Sequence, residues 1–398
     1  MIGDFAVEGF VKAPQYPLDS DRASDCTYGI VDFSEDHAPA AFAYAGTVFL
    51  ETTMEPSRIL VLSDSFHTLP EAVATLEAAG HDVTYVHDLV SWADLAPEAR
   101  LALEQAHAVI MGRVLGIERA HFALAPKLRV IALHTSGSDN VDVEEATRRG
   151  ILVTNVKGVN AEQCAEFAMG LMLSVVRQIR TGDFAIRAGQ WASRTQTSLD
   201  VYGSTLGVIG LGQIAKAFVK RARAFGVRLL VHTRTQDPDI AREYGIEYVS
   251  LDDLLAQSDM VCLFASLTRE TTRMIGAREL ALMKPTSYLI NIARGELVDQ
   301  DALLEALRDR RIAGAGLDVF EDEPVLESPL FALDNVVLTP HQAGLTAAGK
   351  TGAAVRAARN ALEVLRGHIP TDAINPHAKG SPENRDSDRT APRDGEEE

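Results

Sequence analysis

The stretch Thr205-Leu206-Gly207-Val208-Ile209-Gly210-Leu211-Gly212-Gln213-Ile214-Ala215 decides how this chain is read. A short apolar run ends in G-x-G-x-x-A, the amphipathic pattern Ala215–Phe225 follows, and a second apolar run, Arg228–His232, comes next. Isolated glycine turns are common, so the pattern carries weight only in this strand–turn–helix–strand setting. Gly210 permits the tight turn, Gly212 lets a pyrophosphate approach the backbone, and the small Ala215 lets helix pack on strand. A helix beginning near Gln213 and Ile214 points free N–H groups and its positive end at the phosphates. The segment predicts a dinucleotide-binding α/β unit.

The residues after the second strand bear on which dinucleotide. An NAD site places Asp or Glu about 20 residues beyond the glycines, to accept from the ribose 2′-hydroxyl. Here Thr233-Arg234-Thr235 stands at that point, and no carboxylate follows before Asp237. Two hydroxyls flanking a guanidinium suit a 2′-phosphate, to which arginine gives charge-assisted hydrogen bonds. The competing reading is an ordinary solvated loop arginine. The expectation is NADP(H) in preference to NAD(H).

Outward from this segment, short apolar runs alternate with helical patterns. One series comprises Arg58–Leu62, Asp82–Val86, Ala108–Met111, Arg129–Leu133 and Leu152–Thr154. The other comprises Thr205–Ile209, Arg228–His232, Met260–Phe264, Ser287–Ile290, Ala313–Leu317 and Val336–Leu338. Strands spaced by helices imply parallel sheets covered on both faces, and two series imply two doubly wound α/β domains. Two long helical patterns lie at the joints. Asn160-Ala161-Glu162-Gln163 has a capping-box form. The helix it opens, to about Arg177, is apolar nearly all round, which predicts burial inside an interface. The second long helix spans about Thr346 to Arg366.

Composition narrows the function classes. The 398 residues carry a formal charge of −18 and are 46% hydrophobic. That apolar content suits a globular chain. The acidity argues against nucleic-acid binding, which needs a basic footprint. Three dispersed cysteines, Cys26, Cys164 and Cys262, form no CxxC pair and offer no zinc site. No apolar run is long enough to span a bilayer, and the acidic start does not resemble an export signal, so the expected compartment is the cytoplasm. Residues 1–53 show neither helical nor strand periodicity and read as an accessory extension, or as the product of a start codon placed too early. Residues 377–398 lack large apolar side chains and read as a disordered tail.

Three polar residues close the second series. Arg294 lies in Asn291-Ile292-Ala293-Arg294-Gly295-Glu296-Leu297-Val298-Asp299, Glu323 in Leu317-Asp318-Val319-Phe320-Glu321-Asp322-Glu323-Pro324, and His341 in Leu338-Thr339-Pro340-His341-Gln342-Ala343-Gly344. All fall just past strand ends, where ligands of doubly wound sheets bind. Their chemistry is complementary for a 2-oxo acid. Arg294 can clamp the carboxylate and carbonyl, His341 can supply a proton, and Glu323 can orient the imidazole through its other nitrogen. Taken singly, each has a plainer reading: a surface ion pair, a turn acid, a satisfied buried histidine.

Together these four segments resemble the D-isomer-specific 2-hydroxyacid dehydrogenases, a family that includes phosphoglycerate, glyoxylate/hydroxypyruvate and D-lactate enzymes. The likeness runs from about Arg58 to Pro376. It implies Arg294 as substrate clamp, Glu323 as partner of the histidine and His341 as acid/base. It also implies that Ile292, Ala293, Asp318 and Gly344 line the nicotinamide region, and that Ser136-Gly137-Ser138 binds the substrate carboxylate through backbone N–H groups. Gly112-Arg113 resembles a second substrate-facing loop, making Arg113 a reader of the substrate or a solvated arginine. The family fold inserts a Rossmann cofactor domain (158–340) into a flavodoxin-like substrate domain built from 54–157 and 341–376, and it implies a homodimer.

Two departures stand out. Thr233 replaces the family's common acid, and Ala265 stands near the adenosine where a hydroxyl or branched residue is usual. Glu323 speaks against the formate-oxidising branch, which carries Gln there. The activity implied is hydride transfer between NAD(P)H and a small 2-oxo or D-2-hydroxy acid, without a metal. Cofactor-sensing corepressors share this fold, and an alanine-dehydrogenase type of chemistry is a third reading.

Overall fold

The computed structural model describes residues 56–378, apart from 88, 90, 113–114 and 192–196. The expectations for residues 1–53, for Arg113 and for the tail beyond 378 lie outside the described residues.

Twelve strands form two sheets among the described residues. The first contains β1 (Arg58–Leu62), β2 (Asp82–Val86), β3 (Ala108–Met111), β4 (Val130–Leu133) and β5 (Leu152–Thr154), in the order β2-β1-β3-β4-β5. The second contains β6 (Thr205–Ile209), β7 (Arg228–His232), β8 (Ile246–Tyr248), β9 (Met260–Leu263), β10 (Tyr288–Asn291), β11 (Gly314–Leu317) and β12 (Val336–Leu338). Its order is β12-β11-β10-β9-β6-β7-β8. Every pairing is parallel. The first order is the flavodoxin-like one, and the second is the Rossmann order with an added edge strand. The α/β class and both doubly wound sheets are as the alternating pattern predicts. Side chains on both faces of β3, β4, β9 and β10 are buried, which is why these strands read as unbroken apolar runs.

The chain returns to its first sheet at the end. Helix Ala347–Leu365 opens on Thr346, whose hydroxyl accepts from the Gly349 N–H at 3.0 Å. Its alanines 353, 357 and 361 recur every four residues, and they share one buried core with Ile59, Val61, Ile110 and Val130. Small side chains on that stripe let the helix lie close to the sheet. Beyond it, buried Asn375 accepts from the Val153 N–H at 2.7 Å and donates to the Ile151 carbonyl at 2.9 Å. This ties the last described segment to β5.

Three sequence expectations need correction. Asn160 does precede helix Ala161–Val176, but its side chain makes no cap hydrogen bond. Its Oδ1 accepts instead from the Ser136 hydroxyl at 3.1 Å. The apolar helix itself is buried within the chain. Leu171 and Met172 join the core of the second sheet together with Phe218 and Val219 of helix Gln213–Ala222. Finally, β8 is a strand that the apolar runs did not show, and four strands begin or end one residue from their expected limits.

Candidate active site

All strands of the second sheet are parallel, so the turns after β6, β7, β9, β10, β11 and β12 emerge on one edge. The order reverses between β6 and β9, and the crevice opens there. Gly210 ends β6 at φ +89, and a Cβ on it would lie 2.7 Å from the Ala265 nitrogen and 2.8 Å from its Cα. Only glycine fits between the two strand ends. Gly212 has no neighbour within 4 Å of where a Cβ would stand, and it precedes helix Gln213–Ala222 without any side-chain cap. An open approach to an uncapped helix N-terminus is what a pyrophosphate requires, so these residues fit a dinucleotide. Gln213 and Ile214 form the first turn, and the Gln213 side chain lies against Gly158 on the segment joining the two sheets.

After β7, Thr233 is half-buried while Arg234 and Thr235 are exposed. Asp237, the first carboxylate available, is occupied: its Oδ1 accepts from the Asp239 N–H at 2.8 Å and caps helix Pro238–Tyr244. Arg234 sits across the crevice from the loop after β9. Glu270 of that loop is held below the usual carboxylate range first by a hydrogen bond from Thr268, and also by the Arg234 charge.

The turns after β10, β11 and β12 are linked by hydrogen bonds. Asn291 is buried. Its Nδ2 donates to the Arg294 carbonyl at 2.7 Å, and its Oδ1 accepts from the Ala293 N–H at 3.0 Å. The Asn291 carbonyl accepts from the Asp318 N–H at 2.9 Å, and the Asp318 carbonyl accepts from the His341 N–H at 2.8 Å. The fully buried Asp318 carboxylate gathers three donors: the Thr339 hydroxyl at 2.7 Å, the Gln342 N–H at 3.0 Å and the Ala343 N–H at 2.9 Å. Burial raises its pKa, and these hydrogen bonds, with the nearby His341, pull against that rise. The cradle holds His341 at φ 49, a left-handed conformation unusual outside glycine. The structure thus gives Asp318 a task at the histidine turn that the sequence reading had not included.

His341 and Glu323 meet. Their Nδ1 and Oε2 are 2.7 Å apart, and Glu323 Oε1 accepts from the Phe320 N–H at 3.0 Å. With Nδ1 engaged, Nε2 is the ring nitrogen left for a substrate, and the His341 side chain retains 33% exposure. Arg294 reaches the other sheet. Its Nε and one terminal nitrogen donate to Asp139 Oδ1 at 3.0 and 2.8 Å, and its other terminal nitrogen donates to the Ala293 carbonyl at 2.7 Å. A Cβ on Gly137 would fall 1.6 Å from the guanidinium, so Ser136-Gly137-Ser138 lies directly against the arginine. Asn155 Nδ2 fixes this loop by donating to the Ser136 carbonyl at 2.7 Å. Asp139 and Asn291 are the residues that sequence reasoning missed. Neither stood out, because the partner of Asp139 is 155 positions away.

Ile292 is buried beside these turns. Gly344 packs against Asn160, whose Nδ2 would lie 2.5 Å from a Cβ there. Cys164 borders Gly344, and burial together with the Asp318 charge pushes its thiol up to about 11, so it remains protonated. No group of three His, Cys, Asp or Glu suited to a metal occurs among the described residues. No helix among them is long and apolar enough to cross a membrane.

A sequence model of the NAD-binding domain of D-isomer specific 2-hydroxyacid dehydrogenases matches residues 169–343. Over 266 residues the chain is 46% identical to a glyoxylate reductase of Pyrococcus horikoshii, covering 65% of this chain and 80% of that relative. The chain belongs to the D-isomer specific 2-hydroxyacid dehydrogenase family. Solved structures agree. A glyoxylate reductase from Paecilomyes thermophila matches with a TM-score of 0.70 at 30% identity, over 80% of this chain and 98% of that one. A D-lactate dehydrogenase from Aquifex aeolicus, complexed with NAD and lactic acid, matches with a TM-score of 0.72 at 27% identity, over 80% and 99%. As a member of this family the protein is a 2-hydroxyacid oxidoreductase using a nicotinamide cofactor.

Proposed function

We propose that the protein reduces glyoxylate and closely related 2-oxo acids to the D-2-hydroxy acids, with NADPH preferred. The observation that carries this reading is the 2.7 Å His341–Glu323 pair, placed one strand from an arginine that touches the Ser136–Ser138 loop. Backbone N–H groups of that loop receive the substrate carboxylate, and Arg294 exchanges Asp139 for the carboxylate and the 2-oxo oxygen. Bound cofactor supplies the hydride to C2. His341 delivers the proton to the oxygen from Nε2, while Glu323 fixes the ring and balances its charge. Arg294 favours the transition state because negative charge grows on the oxygen it holds.

Gly210, Gly212, Gln213 and Ile214 would hold the pyrophosphate of the bound cofactor, and Ala265 its adenosine. Ile292, Ala293, Asp318 and Gly344 would line its nicotinamide. Thr233, Arg234 and Thr235 take the 2′-phosphate, a reading supported by the diversion of Asp237 into a helix cap. The cofactor-binding part spans 158–340, and 54–157 with 341–376 forms the substrate part. Helix Ile179–Arg187 buries no residue, while Ile179, Ile186 and Trp191 stand 58, 54 and 71% exposed. Such a patch suits a second copy of the chain, giving a homodimer.

The test is glyoxylate turnover with NADPH and NADH at matched concentrations, on the wild type and on Arg234→Ala. A wild-type preference for NADPH that shrinks at least tenfold in the variant is expected. Equal use of both cofactors by the wild type overturns the cofactor reading, and no turnover of any 2-oxo acid overturns the substrate reading.

A further inference from the structure

Among the described residues, four other than glycine hold a left-handed backbone: Gln178, Arg273, Arg310 and His341. The conformation is disfavoured for any residue with a Cβ, so it persists only where the surroundings impose it. His341 is held so by the Asp318 cradle. Arg273, at φ 51, lies in the loop after β9 and is held by two other turns of the same sheet edge. Its N–H donates to the Glu296 carbonyl at 2.7 Å, two residues past Arg294. Just beyond it, the Ile275 N–H donates to the Leu297 carbonyl at 3.1 Å. The Arg273 side chain goes to a different turn. Its Nε and one terminal nitrogen lie 3.2 and 3.1 Å from Glu321 Oε1, two residues before Glu323. The turn that carries Glu323 is also pressed against the one that carries Arg294: a Cβ on Gly295 would fall 1.9 Å from the Phe320 carbonyl carbon and 2.4 Å from the Glu321 nitrogen. Arg273 thus fastens both turns at once, the first by its backbone and the second by its guanidinium.

We propose that Arg273 is a positioning residue for the acid–base pair: its ion pair with Glu321 sets the place of the Glu323 carboxylate, and through it the direction in which His341 Nε2 delivers its proton. The inference rests on the 2-oxo acid reading above and deepens it. The Arg273 side chain is 60% exposed, and an ion pair so open adds little to folding stability. Proton delivery is more demanding, because a shift of about one ångström in a reacting group can cost about a hundredfold in rate. The contacts of Arg273 are with the Glu296 and Glu321 turns, not with the pyrophosphate turn or the Ser136–Ser138 loop. Binding of the cofactor and of the substrate carboxylate therefore does not depend on the pair.

The experiment measures kcat and KM for glyoxylate, the NADPH Kd and Tm on wild type, Arg273→Gly, Arg273→Lys, Glu321→Gln and the double variant of Arg273→Gly with Glu321→Gln. Arg273→Gly removes the guanidinium and places at φ 51 the residue best suited to it, so Tm is kept or raised. Its kcat falls about 3- to 30-fold, short of the cost of a full ångström of misplacement, with KM and the NADPH Kd unchanged. Glu321→Gln gives a loss of the same size, and the double variant is no slower than the slower single one, because both remove one bond. Arg273→Lys keeps a cation without the planar fork and recovers part of the rate. Unchanged kcat in Arg273→Gly overturns the inference, while wild-type turnover leaves the broader reading standing. A loss accompanied by a lowered Tm or carried by KM is the signature of a structural role and overturns it as well, as does a double variant whose losses multiply. Absence of turnover with every 2-oxo acid in the wild type overturns both.

Discussion

Two glycines of one turn, Gly210 and Gly212, separate folding from binding when each is replaced by alanine. Gly210 lies at φ +89, and its new methyl would stand 2.7 Å from the Ala265 nitrogen, 2.8 Å from its Cα and 2.9 Å from the Phe264 carbonyl carbon. These are backbone atoms at the end of a buried strand and cannot swing aside. A non-glycine residue at such a φ costs about 1–3 kcal/mol, and overpacking adds about 1–3 kcal/mol. The ligand-free protein therefore loses about 2–6 kcal/mol. That corresponds to a fall in Tm of roughly 4–24 °C for a unit of this size. Gly212 is different. Its φ of −78 and ψ of −171 suit alanine, and nothing lies within 4 Å. Gly212→Ala leaves ligand-free stability unchanged or raises it by about 0.4–1 kcal/mol. On the proposed cofactor placement its methyl would stand where the pyrophosphate approaches, and a steric cost of about 1–3 kcal/mol would weaken the NADPH Kd roughly 5- to 150-fold. Urea unfolding without cofactor and fluorescence titration with NADPH read the two effects separately. The reasoning fails if Gly212→Ala destabilises the free protein as Gly210→Ala does, or if it binds NADPH with wild-type affinity.

His341→Ala should lower kcat for glyoxylate about 10²- to 10⁴-fold with the NADPH Kd nearly unchanged; near-normal turnover removes His341 as proton donor. Asp139→Ala removes the carboxylate that pairs with the Arg294 guanidinium at 2.8 Å, and it should raise KM for the 2-oxo acid more than it lowers kcat; a change confined to cofactor affinity contradicts the proposed exchange. His134 is held near 4 in the fold against 6.5 when exposed. Between those values the unfolded chain binds a proton that the folded chain refuses, so stability falls as pH drops from 6.5 towards 4 and is level above. The loss is at most about 3 kcal/mol, and burial lowers His81 and His107 in the same sense. His134→Phe should flatten this slope in urea midpoints taken at pH 7 and pH 5; an unaltered slope assigns it to other groups. Ile186→Asp should shift the particle mass in light scattering from a dimer to a monomer, and an unshifted dimer places the interface elsewhere.

The sequence made the two sheets legible because strands buried on both faces must be apolar throughout. It was weaker where a strand lies at an edge. β8 is only Ile246-Glu247-Tyr248, too short for alternation to register. One strand limit moved because a polar side chain belongs to the strand, buried Asn291 at the end of β10. The apolar helix Ala161–Val176 was correctly read as buried, but spacing alone does not say what covers it. The capping box failed for a related reason: Ser136, distant in sequence, claims the Asn160 oxygen. In the site, residues whose type suits the chemistry were visible, as Arg294, Glu323 and His341 were. Those that act by holding other residues, Asn291 beneath Arg294 and Asp139 beside it, have no local pattern to betray them. Asp318 was noticed for a different task from the one its three hydrogen bonds display.

The return of the chain to its first sheet has a consequence for biosynthesis. Val153 and Asn375 are hydrogen-bonded across 222 positions, and the alanine stripe of helix Ala347–Leu365 completes the core that β1, β3 and β4 begin. At a synthesis rate of about 5–20 residues per second, a ribosome exposes that half-built sheet for roughly 11–44 s before its cover emerges. The second sheet, contiguous between Thr205 and Leu338, faces no such delay. The nascent cofactor unit can therefore close first, while the apolar face of the older segment waits, the interval in which a chaperone would have most to protect.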